Sequence, residues 1–189
     1  MGRCTVYRTA LLMVLAASLA MAQSPKYKLG KPATSSDIAQ RDHFVSPDGK
    51  GLPPGKGTAA EGKAVYDRRC ALCHGSEGKG KDEAPLVGGQ GTLTTPKPLK
   101  TVGSYWPYST TLFDYINRAM PFDNPGLLNY DQVYAVSALI LHWNGIIGEH
   151  DLMDATSLPK VRMPNRDGFI PDDRPDTGKA KKPKPPAKQ

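Results

Sequence analysis

The stretch Cys70-Ala71-Leu72-Cys73-His74 decides the fold of this 189-residue chain. Its C-x-x-C-H spacing is the attachment sequence of c-type haem. Two thiols one helical turn apart can each add to a vinyl group on the same porphyrin edge, and the adjacent imidazole then reaches one axial position of the iron. The motif therefore predicts one covalently bound haem c, held by Cys70, Cys73 and His74.

Two other uses of the cysteine pair fit the sequence poorly. A structural zinc site needs four ligands, usually from a second Cys/His pair at similar spacing. The other histidines, His43, His142 and His150, are scattered along the chain. A thioredoxin-like redox pair expects a βαβ setting, and no alternation of strands and helices is visible.

The second axial ligand has four candidate suppliers, which are Met120, Met153, Met163 and His142. Met120 follows the second predicted helix, so it closes a long loop over the far face of the haem. Met153 and Met163 lie beyond the last predicted helix, where core packing is the alternative. We interpret Met120 as the ligand, with Met163 next. A His74/Met120 pair raises the iron's potential and suits a carrier more than an oxidase or peroxidase.

Further contacts with the haem follow from what the cofactor needs. A ligating histidine donates its other ring N–H to an acceptor, for which we expect the carbonyl of Pro85. The propionates need donors, and candidates cluster shortly before the methionine: Tyr105, Trp106, Tyr108 and Arg118. Core packing is the alternative for the three aromatic residues.

Three helices are predicted between residues 58 and 148, over 58–69, 110–119 and 129–145. The first and third begin with capping boxes. Thr58 is followed three residues later by Glu61, and Asn129 by Gln132. Gly145 is a natural C-terminal stop. Gly62 and Tyr66 on the first helix are expected to meet the third helix over residues 136–143.

The flanking regions have a different character. Residues 1–22 combine early arginines, an apolar run and an A-x-A cleavage site, which indicates a signal peptide with Gln23 as the mature start; an uncleaved anchor is the alternative. The run is too short to span a bilayer, so no transmembrane segment is expected in the mature chain. Residues 23–57 read as an extension without its own core, with Ile38, Phe44, Val45 and Leu52 as candidates to attach it to the domain or to a partner.

Residues 149–178 read as an irregular docking segment, and 179–189 as a Lys/Pro-rich tail. The formal charge of +7 comes from residues 1–22 and from the Lys/Pro-rich tail. Of 25 Lys and Arg residues, two lie in residues 1–22 and five in the tail, which leaves 18 against 18 Asp and Glu. The folded body is therefore close to neutral, and a nucleic-acid partner is not expected.

A family resemblance follows from the motif and its surroundings. Gly62, Tyr66, the C-x-x-C-H motif, Pro85-Leu86-x-Gly88 and Met120-Pro121 together resemble a class I monohaem cytochrome c over residues 58–148. The resemblance implies an all-α fold, with three to four helices and long loops around one haem. Extended N- and C-terminal arms flank that domain.

A narrower resemblance covers most of the mature chain. Residues 48–58, 86–93, 101–108, 118–122 and 163–169 are similar to the cytochrome subunit of bacterial sulfite and sulfane dehydrogenases of the sulfur-oxidation system. That family implies a periplasmic location and a molybdenum catalytic subunit as donor. It also implies single-electron delivery to a downstream cytochrome c or oxidase. The sulfane type carries two haems on a longer chain, so one C-x-x-C-H motif favours the sulfite type.

Two alternatives stay open. The first is a diffusible carrier that serves several dehydrogenases. The second is a haem enzyme or gas sensor with an open sixth site, which requires that Met120 is not a ligand. On either of the carrier readings the chain is not an enzyme on its own.

Overall fold

The computed structural model describes residues 27, 29–39 and 41–172. The predicted signal peptide and the Lys/Pro tail lie outside these residues. The chain divides into two units, residues 1–41 and 42–189. The described part of the first unit contains one short helix, α1 (Ser35–Ala39). Its start is capped by Thr34, whose Oγ1 accepts the N–H of Asp37 at 3.1 Å.

The described part of the second unit is mainly helical. Its elements, in chain order, are β1 (Lys56–Gly57), α2 (Ala59–Arg69), α3 (Ala71–His74), a 3-10 turn (Ser76–Gly78), α4 (Ser109–Ala119), α5 (Tyr130–Trp143), β2 (Met153–Asp154) and a second 3-10 turn (Leu158–Lys160). The expected all-α fold with long loops is confirmed. Among the described residues, no helix is both long and apolar enough to cross a membrane.

Both predicted capping boxes are present. At the start of α2, the Glu61 N–H donates to Thr58 Oγ1 at 3.4 Å and the Thr58 N–H donates to Glu61 Oε2 at 2.8 Å. At the start of α5, Asn129 and Gln132 make the same reciprocal pair, at 2.9 and 3.0 Å. Each box satisfies two donors that a helix start leaves free, which fixes where these helices begin.

Helices α2 and α5 cross at close range, as the sequence predicted. A Cβ at Gly62 would lie 2.2 Å from the Ala135 carbonyl oxygen, so only glycine permits this approach. The buried Tyr66 ring meets Trp143 edge-to-face, with centroids 4.8 Å apart. The crossing holds the end of α2, and hence the C-x-x-C-H motif that follows it, against the core.

The chain on either side of the predicted domain contributes to the same core. We call residues 42–57 the N-terminal arm and residues 149–172 the C-terminal arm. Strands β1 and β2 pair antiparallel, with Gly57 opposite Met153. Leu158 and Met163 are buried in the core cluster. The core therefore extends past residues 58–148, because both arms pack on the helices.

Two of the four expected anchors of the N-terminal extension reach the core. Val45 is 4% exposed, and Leu52 is partly buried against the core cluster. Phe44 is 61% exposed and, in the first unit, Ile38 is 56% exposed. The Tyr134 hydroxyl adds a polar attachment by donating to the Pro53 carbonyl at 2.9 Å.

Candidate functional site

The C-x-x-C-H motif lies at the junction of two helices. Cys70 ends α2 and begins α3, and its carbonyl accepts the N–H groups of Cys73 at 3.2 Å and His74 at 2.9 Å. One short turn of helix therefore presents both thiols and the imidazole. This is the local geometry that the spacing of the motif requires.

The two thiols are unpaired and differ in their surroundings. No disulfide joins Cys70 and Cys73. Cys73 is exposed, whereas Cys70 is half-buried against the core. Burial, followed by the nearby Cys73, raises the pKa of the Cys70 thiol to about 11. Two free sulfurs, one at the solvent edge and one against apolar side chains, fit the two thioether attachments of haem c.

The His74 ring is oriented by the loop that follows it. Its Nδ1 lies 3.3 Å from the carbonyl oxygen of Ala84. We expected the carbonyl of Pro85, so the predicted acceptor is corrected by one residue. A carbonyl can only accept, so Nδ1 carries the proton and Nε2 keeps a lone pair for iron. Pro85 still contributes, because a proline disfavours the helical conformation at the preceding residue, Ala84.

Backbone hydrogen bonds fold this loop onto the motif. The Gly80 N–H donates to the His74 carbonyl at 2.9 Å, and the Glu83 N–H donates to the Cys73 carbonyl at 3.0 Å. The Tyr66 hydroxyl donates to the carbonyl of Gly75 at 3.1 Å. Burial raises the pKa of Tyr66 to about 12, so this donor keeps its proton at neutral pH. The proximal side is thus held by backbone groups and one buried phenol.

Met120 ends the helix α4. Its N–H donates to the Ile116 carbonyl at 3.1 Å, and its side chain is half-buried against the core cluster that Cys70 also borders. Met153 and Met163 are 5% and 1% exposed inside that core. Among the described methionines, Met120 alone is not fully buried. Its role as the sixth ligand stays a prediction, which this difference in burial favours.

The remaining candidate, His142, is half-buried near the end of α5. Its Nδ1 lies 3.2 Å from the Ile147 carbonyl oxygen. This contact ties the helix end to the following turn, which is a packing role.

Arg118, a predicted propionate donor, is engaged by a carboxylate on its own helix. Its Nε donates to Asp114 Oδ1 at 3.0 Å, and its Nη2 reaches Oδ2. This hydrogen bonding raises the pKa of Arg118 above its ordinary value. The side chain is half-exposed and borders a surface cleft of about 710 Å³ together with His43 and Tyr130. A contact between Arg118 and a propionate remains a prediction.

The aromatic candidates make packing contacts. Tyr105 meets Phe169 of the C-terminal arm edge-to-face at 5.2 Å, and Lys100 lies 5.0 Å from its ring centroid. Trp106 meets Tyr115 at 5.9 Å. The Tyr108 ring is covered by the Arg166 guanidinium at 4.5 Å. Trp106 thus packs against the core, as the alternative expects, whereas Tyr105 and Tyr108 contact the C-terminal arm. The donor role of all three remains a prediction.

Sequence reasoning missed Asn144, which the structure places close to the proximal loop. This buried residue is the C-cap of α5, and its side chain binds the backbone of Leu86 and Gly88. The available signal was a polar residue directly before the Gly145 helix stop. Its tertiary contacts are not visible in that local pattern.

A model of the cytochrome c family matches residues 59–144. One chain in the crystal structure of the sulfane dehydrogenase SoxCD from Paracoccus pantotrophus is 40% identical, with a TM-score of 0.73. That match covers 87% of this chain and 83% of the other. The chain belongs to the cytochrome c family.

This cytochrome therefore carries haem c and has the class I cytochrome c fold, with a role in electron transfer. A search of curated protein sequences finds no match to it. The free thiols of Cys70 and Cys73 and the oriented imidazole of His74 fit the covalent attachment that the family uses.

Proposed function

We propose that this cytochrome is the haem subunit of a periplasmic molybdenum dehydrogenase that oxidises a sulfur compound. It receives electrons singly from the catalytic subunit and passes them to a downstream cytochrome c or oxidase. His74 and Met120 are the axial ligands in this proposal, and Cys70 and Cys73 form the thioethers.

The observation that carries the proposal is how far the likeness extends. The family model spans residues 59–144, whereas the match to the SoxCD chain covers 87% of this chain. A likeness limited to the haem domain would be shared with many carriers. Here it covers far more of the chain than the haem domain, and sequence outside that domain has no need to be alike in unrelated diffusible carriers. A common assembly with a catalytic subunit accounts for that.

The chemistry sets the electron count. Oxidation of sulfite with one water gives sulfate, two protons and two electrons. Haem c, when bound, supplies one-electron Fe(III)/Fe(II) chemistry. The donor must therefore release its two electrons in two steps.

Two substrates are supported by different observations. The motifs that flank C-x-x-C-H resemble those of sulfite as well as sulfane dehydrogenase cytochromes, which supports sulfite. The likeness to SoxCD, a sulfane dehydrogenase, favours a sulfane sulfur substrate. Both belong to the same class of sulfur-oxidising complex, and kinetics with each substrate distinguish them.

Purification from the native bacterium tests the assembly. A C-terminally tagged full-length chain is isolated from periplasmic and cytoplasmic fractions, followed by gel filtration with metal analysis. We expect haem and molybdenum to elute together from the periplasmic fraction, with Gln23 as the first residue. A haem protein that elutes alone and is reduced equally by unrelated donors would indicate the diffusible carrier instead.

A third outcome concerns the sixth coordination position of the haem iron. The open-site enzyme or sensor requires that Met120 does not ligate. It would be supported by an oxidised protein that lacks the weak red absorption band of methionine–iron ligation and binds cyanide readily. We expect the band to be present and cyanide binding to be slow.

A further inference from the structure

Both polar atoms of the Asn144 side-chain amide make hydrogen bonds, although the residue lies inside the protein. It is 9% exposed. Its Nδ2 donates to the carbonyls of Leu86 at 3.2 Å and Ile140 at 2.8 Å, and its Oδ1 accepts the Gly88 N–H at 3.0 Å. It thus joins the end of α5 to the loop that supplies the acceptor for His74.

We propose that Asn144 is a positioning residue for the proximal ligand. It fixes residues 86–88, which keeps the Ala84 carbonyl against His74 Nδ1 and so sets the reduction potential. This inference rests on the proposed ligation by His74 and Met120.

The path from Asn144 to His74 is short. Leu86 follows Ala84 by two residues, and the residue between them, Pro85, has a fixed φ. The Leu86 N–H donates to the Gly78 carbonyl at 2.8 Å, while its own carbonyl accepts from Asn144. Leu86 is therefore held to the turn after His74 on one side and to the core on the other.

Two further side chains hold the same loop. The Gln90 amide donates to the Asn144 carbonyl at 3.1 Å and to its Oδ1 at 3.3 Å. The Thr101 hydroxyl donates to the Gly88 carbonyl at 2.5 Å. Both the N–H and the carbonyl of Gly88 are thus hydrogen-bonded, which restricts movement of this part of the loop.

The space for the Asn144 amide depends on Gly103. A Cβ at Gly103 would lie 2.0 Å from Asn144 Oδ1, a separation that real contacts never reach. The backbone at residue 103 therefore packs directly against the amide. The position of Asn144 is set by the fold and does not depend on solvent.

Loosening the contact between His74 and Ala84 changes the reduction potential in a definite direction. A hydrogen bond from Nδ1–H to a carbonyl makes Nε2 more basic, and a more basic imidazole stabilises Fe(III). Loosening the Ala84 contact therefore shifts the reduction potential to more positive values. Loss of methionine ligation acts in the opposite direction, because methionine raises the potential. The sign of the shift separates a proximal effect from general damage.

Potentiometry on the full-length holoprotein tests the inference. For Asn144→Ala we expect a positive shift in potential with the methionine–iron band retained. Gln90→Leu, at an exposed position, removes two of the contacts to Asn144 and should give a smaller shift of the same sign. Ser137→Ala is the control, because it removes a buried hydrogen bond to the Val133 carbonyl on the same helix that has no part in this loop. Its potential should match the wild type.

The outcomes are distinct. An unchanged or more negative potential in folded Asn144→Ala overturns the inference. If that variant does not fold, an unchanged potential in Gln90→Leu overturns it instead. A wild type without the methionine–iron band contradicts the ligand assignment and the inference with it, whereas a wild type with the band and variants without a positive shift contradict the inference alone.

Discussion

The Met120 side chain is only partly buried at the edge of the core, whereas Met153 and Met163 are 5% and 1% exposed. A methionine that binds a metal must have one side free of protein contacts, whereas a methionine in the core is surrounded on all sides. Met120 lies at the end of α4, where its N–H completes the last helical turn.

Replacement of Met120 tests this difference. In Met120→Ala holoprotein we expect the methionine–iron band to disappear and the potential to fall, because the ligand that raises it is gone. Cyanide should bind faster than in the wild type. Absorption spectra of the oxidised protein and a redox titration measure these effects.

The matched control is Met163→Leu, a volume-conserving change at a buried methionine. Such changes cost less than about 1.5 kcal/mol in stability. We expect the band and the potential to stay unchanged. A band that survives in Met120→Ala and disappears in Met163→Leu would reassign the ligand.

Individual residues show where sequence-based prediction ends. The C-x-x-C-H motif predicts the cofactor because the chemistry is local to five residues. The acceptor for His74 was expected at Pro85 and lies at Ala84. The direction of a carbonyl depends on backbone angles, which cannot be read from the sequence. Asn144 was missed because its partners are more than fifty residues away.

At the scale of elements, α4 connects both arms to the core. Its buried Asp114 accepts the Val45 N–H of the N-terminal arm at 3.2 Å and also binds Arg118. At the start of the helix, the Ser109 hydroxyl donates to the Leu158 carbonyl of the C-terminal arm at 2.6 Å. The helix that leads to Met120 is therefore tied to one arm at its start and to the other at its middle.

Removal of the Asp114 carboxylate should release the N-terminal arm. A hydrogen bond to a charged group contributes about 1.5–3 kcal/mol, and the half-exposed Arg118 adds little. In Asp114→Ala we expect a lower free energy of unfolding and faster proteolytic cleavage within residues 42–57. Asp67→Ala removes an exposed carboxylate that pairs with Lys63 and should leave both properties unchanged. Equal cleavage rates in the two variants would refute this attachment.

A methyl group at Gly62 should disturb the crossing of α2 and α5. The added Cβ meets the Ala135 backbone, which cannot move aside as a side chain can. Overpacking of this kind costs about 1–3 kcal/mol, more than alanine gains in helix propensity. Thermal unfolding of Gly62→Ala measures the loss, with Lys63→Ala on the exposed side of α2 as the control. A stability equal to that of the control would show that the helices can separate freely.

Elements were predicted well where their signals are local. The capping boxes fixed the starts of α2 and α5, and hydrophobic spacing located α4. The arms were expected to lie outside the domain, since their few apolar residues show no periodicity. Pairings such as Gly57 with Met153 join positions far apart in the chain, and nothing in either segment indicates its partner.

At the scale of the molecule, charge is separated from the folded body. Residues 179–189 hold five lysines and no acid, whereas residues 23–178 hold 18 basic and 18 acidic residues. A steering role for this tail would appear as an association rate that falls steeply with salt.

We expect the tail to have no such role. Deletion of residues 179–189 should leave the rate of haem reduction and its dependence on ionic strength unchanged, as measured by stopped-flow mixing with the donor. A slower reaction at low salt that converges with the full-length chain at high salt would instead assign an electrostatic function to the tail.

The central claim, that this haem serves a sulfur-compound dehydrogenase, is tested most directly by anaerobic mixing of the purified complex with its substrate. The account predicts that sulfite, or a sulfane sulfur donor, reduces the haem within a single turnover, and that each sulfite delivers two electrons. A haem that stays oxidised with both substrates, although dithionite reduces it and the catalytic subunit turns over with another acceptor, would contradict the account.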